Sequence, residues 1–67
     1  LRDLATAHGR AGNDGLAALA SAERLAMLGE LRDAATLAQR ALALLPHGSP
    51  SWQRADDLAL TARQALE

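Results

Sequence analysis

The side chains that could do chemistry in this chain are few, and their spacing argues against catalysis. His8 and His47 are the two histidines, and cysteine is absent. A zinc site needs three or four ligands, and no cysteine or close histidine–carboxylate pattern supplies the remainder. His47 precedes Gly48 in a turn, where an imidazole reads as a solvated cap. Ser49 and Ser51 lie near His47 in sequence, which suggests a nucleophile and its base. Ser49-Pro50, however, already reads as a helix start, with serine capping and proline at the first helical position. A hydrolase also needs an orienting acid and an oxyanion hole, and nothing indicates either. Asp56 and Asp57 are adjacent, and adjacent helical side chains diverge by about 100° rather than facing one another. They read as a solvated face. The expectation is a non-enzyme with no cofactor and no metal.

The elements that carry these residues follow from the composition. The apolar set is limited to Ala, Leu, Met27 and Trp52, and there is no Val, Ile, Phe, Tyr or Cys. Strands favour β-branched and aromatic residues, whereas Ala and Leu head the helix scale. An all-α fold follows. Sixty-seven residues make at most one small domain, spanning 1–67, and its first residue, Leu1, suggests a piece of a longer chain. Net charge is −1 and every basic residue is Arg. No basic cluster forms a nucleic-acid footprint, and no apolar run approaches the roughly 20 residues of a membrane span.

Breaks at Gly12, Gly29 and Pro46 recur every 17 residues and predict four antiparallel helices. The first covers about 1–11, with Leu1, Leu4, Ala5, His8 and Ala11 on one side. Gly12-Asn13-Asp14-Gly15 ends it, and Asn13 or Asp14 caps the second, about 14–28. Its two apolar stripes suggest a helix packed on both sides. Gly29 opens the third, about 30–45, and Pro46 closes it. Ser49 caps the fourth, about 50–66. The expected core is Leu4, Leu25, Ala34, Ala38, Ala41, Leu42, Trp52, Ala55 and Ala59, with Trp52 closing the bundle over the third helix.

Seventeen is half of 34, the period of a helix–turn–helix repeat. Ala22, Gly29, Ala34, Ala41 and Pro46 match the small, turn and proline positions of the tetratricopeptide repeat, and the chain resembles an α-solenoid fragment of about two such repeats. Leu25 and Ala38 stand where that family usually has Tyr or Phe. A closer likeness lies in Leu4-Ala-x-Ala-His-Gly-Arg-x-Gly12, Ala17-Ala-Leu-Ala-x-Ala-Glu23 and Leu45-Pro-His-Gly-Ser-Pro-x-Trp-x-Arg-Ala-x-Asp57-Leu58. These are similar to the C-terminal repeat region of bacterial zinc metallopeptidases with an N-terminal H-E-x-x-H domain. That motif itself is absent here.

The resemblance implies a non-catalytic docking or regulatory module in the bacterial periplasm. Its partner would be a protein or peptide segment, the catalytic domain of the same chain included. In the register set by Pro46 the concave surface would carry Leu16, Leu19, Glu23 and Met27, Glu23 offering a charge amid apolar area and Met27 an adaptable contact. The alternative is a structural unit without a protease, self-associating as a homodimer through the first or fourth helix, because a truncated solenoid exposes apolar area at its ends.

Overall fold

Among the described residues, Gly29 and Pro46 separate three helices. The computed structural model describes the backbone from Arg2 to Glu67 and the side chains from Asn13 onward. Helix α1 spans Arg2–Met27, α2 spans Leu31–Leu44 and α3 spans Pro50–Leu66. Leu4, His8 and the rest of the stripe expected on the first helix lie outside the described side chains.

The ends have local causes. At the end of α1, Gly29 adopts φ +83°, which glycine reaches without steric cost. The Gly29 amide donates to the Ala26 carbonyl and the Glu30 amide to the Leu25 carbonyl. This paired reversal satisfies carbonyls that a helix end leaves open. Leu45 ends α2 in an extended conformation, as the residue before a proline must. The Ser49 hydroxyl accepts a hydrogen bond from the Trp52 amide at 3.1 Å, and Pro50 occupies the first turn of α3, where a missing N–H costs nothing.

The expected break at Gly12-Asn13-Asp14-Gly15 does not occur: α1 runs through it. Gly15 is buried, and a β-carbon there would lie 2.8 Å from Leu45 Cγ and 3.2 Å from Leu44 Cβ. The glycine is a contact point, not a hinge. It lets the end of α2 lie directly against the α1 backbone. The four-helix, tetratricopeptide-like reading is thereby corrected. Two helix pairs are needed for two repeats, and three helices do not supply them. In a solenoid each repeat contacts only its neighbours. Here α2 packs on both other helices, and α1 also meets α3, closing the bundle. The helix packed on two sides is thus α2.

The core is built from alanine. Ala18, Leu19, Ala41, Leu45 and Ala55 form one layer, flanked by half-buried Leu42, Trp52 and Leu58. Ala22, Ala38 and Ala59 form the next, flanked by Leu37, Leu42 and Leu58. Ala34 and Ala62 are buried further along. Small side chains at three- and four-residue steps let helix axes approach toward the 8 Å end of the packing range. Among the described residues no large side chain is fully buried. The layer order shows that α1 and α3 run one way and α2 the other.

Candidate functional site

Helical geometry gives α1 three kinds of surface. Gly15, Ala18, Ala22 and half-buried Ala26 recur at three- and four-residue steps and face the core. One flank carries Leu16, Ala20, Glu23 and Met27 and turns toward α3. There the Glu23 carboxylate accepts from the Arg54 guanidinium, an ion pair between α1 and α3. Both partners are substantially exposed, so the pair fixes the relative position of two helices while adding at most about 1 kcal/mol. Leu16 is exposed, and Met27 is 87% exposed.

The other flank of α1 lines a groove against α2. Asp14, Ala17, Ala18 and Ser21 form one wall and Leu37, Arg40 and Leu44 the other, around a volume of about 410 Å³. Leu37 and Leu44 supply its apolar floor, and both are half-buried. The groove lies on the side of the α1–α2 pair away from α3.

The expected surface residues therefore separate. Leu16, Glu23 and Met27 share the flank facing α3. Leu19 does not join them: it is 3% exposed and sits in the core layer with Ala18, Ala41 and Ala55. Among the expected core residues Ala34, Ala38, Ala41, Ala55 and Ala59 are buried, while Leu25, Leu42 and Trp52 are half-buried. The pairing of Glu23 with Arg54 leaves no mark in the sequence, because no spacing rule links residues 31 apart. The α2 wall of the groove was more accessible: Leu37, Arg40 and Leu44 follow the three- and four-residue steps of a single helix face.

The side chains with catalytic potential are otherwise engaged. Ser49 is a cap. The His47 ring lies 4.4 Å from that of Trp52, tilted by 52°, covering the indole at the turn. Asp57 is exposed and Asp56 half-buried on different sides of α3. Among the described residues no three His, Cys, Asp or Glu side chains are placed to hold a metal ion. Among the described residues no helix is long and apolar enough to cross a membrane.

Comparison with protein-family models, curated proteins and solved structures returns no match. Together with the three-helix closure, this overturns the likeness to the repeat region of zinc metallopeptidases. The docking module of a protease, with its concave repeat surface, is set aside with it.

Proposed function

We propose that this chain is a non-catalytic scaffold unit that works by self-association. The observation that carries the reading is where its large apolar side chains lie. The core is filled mainly by alanine, while Met27, Leu28, Leu16, Leu60 and Leu66 are exposed, Met27 and Leu28 at 87% and 69%. Burying a leucine or methionine stabilises by about 1.5–3 kcal/mol, and a 67-residue chain has little core to spare. Oligomerisation is one of the ways small scaffolds gain the missing burial. The alternation of helix directions gathers three of these residues: the end of α1 and the end of α3 lie at one end of the bundle, carrying Met27, Leu28 and Leu66.

Sedimentation equilibrium from micromolar to millimolar concentration tests the proposal. A mass that rises to that of a closed oligomer supports it. A monomer throughout the range overturns it.

A further inference from the structure

The groove between α1 and α2 has a polarity along its length. On the α1 wall, Asp14, Ala17 and Ser21 follow one another at three- and four-residue steps, so they stand in one row. Asp14 and Ser21 are two helical turns apart, about 10.5 Å. The register of the two helices fixes what stands opposite. Gly15 lies against Leu44 and Leu45. Ala18 shares a core layer with Ala41, and Ala22 shares the next with Ala38. Arg40, between Ala38 and Ala41, therefore stands across from the turn between Ala18 and Ala22, near the level of Ser21. Asp14 stands near the level of Leu45, at the other end.

The groove thus carries a carboxylate at one end and a guanidinium with a hydroxyl at the other. Half-buried Leu37 and Leu44, with Ala17, give it apolar surface. Asp14, Ser21 and Arg40 are exposed, and among the described residues neither Asp14 nor Arg40 is in an ion pair. A complementary ligand has a cation and an anion about 10 Å apart on an apolar body, the separation set by two helical turns. An extended peptide advances about 3.3–3.6 Å per residue, so three residues hold an amino terminus and a carboxyl terminus at that distance. The groove's volume of about 410 Å³ falls within the range of small-ligand sites.

We propose that the α1–α2 groove binds short apolar peptides, about three residues long by the reach of an extended chain, through both of their termini. The Asp14 carboxylate accepts from the peptide's ammonium group. The Arg40 guanidinium and the Ser21 hydroxyl donate to its carboxylate. Leu37 and Leu44 meet its apolar side chains. An internal segment of a protein has neither terminal charge at this spacing, so the groove selects a free peptide. The site is apart from Met27, Leu28 and Leu66, the bundle end gathered for self-association, and it functions in a monomer as well.

Titration of the peptide Ala-Leu-Ala into the nitrogen-15-labelled full chain at pH 7, followed by amide chemical shifts, tests the assignment. Saturable shifts should centre on Asp14, Ala17, Ser21, Leu37, Arg40 and Leu44. Acetylating the peptide's amino terminus, or amidating its carboxyl terminus, should each weaken binding by about three- to fivefold, the worth of one exposed ion pair. Asp14→Asn should weaken binding of the free peptide equally and erase the preference over the acetylated one. Arg40→Gln should do the same for the amidated one. Circular dichroism checks that both variants are folded, and the selective loss of one preference is not an effect that general destabilisation produces. No saturable shifts at about 10 mM peptide, a level at which even millimolar affinity registers, would overturn the proposal. So would shifts centred outside the groove, or capped peptides that bind as well as the free one. Each of these outcomes leaves self-association untouched, since that is read from the mass of the peptide-free chain.

Discussion

Single residues in this bundle act through contact rather than chemistry, and Gly15 shows how far the two can be confused. In an exposed helix, replacing glycine by alanine gains about 1 kcal/mol. At Gly15 the new β-carbon would meet Leu45 Cγ at 2.8 Å and Leu44 Cβ at 3.2 Å. Neither atom is the free end of a long side chain, so the end of α2 must shift. Overpacking of this kind costs about 1–3 kcal/mol, which equals or exceeds the propensity gain. Gly15→Ala is therefore expected to lower the thermal midpoint followed by circular dichroism, and a raised midpoint would show that the helices are not in close contact there. Trp52 illustrates the opposite case, a large side chain whose removal leaves space. It packs against the layer of Ala18, Leu19, Ala41, Leu45 and Ala55 with His47 over its ring. Because it is only half-buried, Trp52→Ala is expected to cost about 3 kcal/mol, the low end for losing an aromatic core residue. An unchanged melt would remove Trp52 from the core.

The elements differ in how plainly their signals appear in the sequence. Helix α3 begins where Ser49-Pro50 says it should, since the cap hydrogen bond and the proline act within one turn. Ser49→Ala is expected to cost about 1 kcal/mol and to lower the midpoint by about 4–8 °C; a shift under a degree would mean that water replaces the hydroxyl. The limits of α2 were legible for the same reason, being set by Gly29 and Pro46 alone. The alanine steps of α2 and α3 were legible as one face of each helix. The continuity of α1 was not. Gly12, Asn13, Asp14 and Gly15 are all turn formers by local preference, and local preference is what a sequence displays. What keeps the helix intact at Gly15 is Leu44 and Leu45, about 30 residues away. Once that break was assumed, the even 17-residue spacing followed, and with it a repeat that the chain does not form. The Glu23–Arg54 pair was hidden by the same distance, and Leu19 was placed on the surface because its burial depends on a layer drawn from three helices.

At the scale of the whole molecule, the consequence of an alanine core is a shortage of buried apolar surface. Domains of this size are marginal even with a normal core, and stability is a small difference between large terms. Among the described residues no large side chain is fully buried, while several leucines and Met27 are exposed. If copies associate, folding and association become one equilibrium, and stability depends on concentration by mass action. For a dimer, each tenfold rise in protein concentration adds about 1.4 kcal/mol per dimer. Spread over the unfolding entropy of two chains of this length, that should raise the midpoint by about 5 °C. An interface held by charges would make the midpoint of the dimer fall as salt rises, since exposed charges are screened within about 10 Å at 0.1 M ionic strength. The two dependences separate the sources of stability. A midpoint that rises with concentration but ignores salt would place the contact at the apolar end formed by Met27, Leu28 and Leu66. A midpoint that ignores concentration would mean that three helices lined with alanine are sufficient alone.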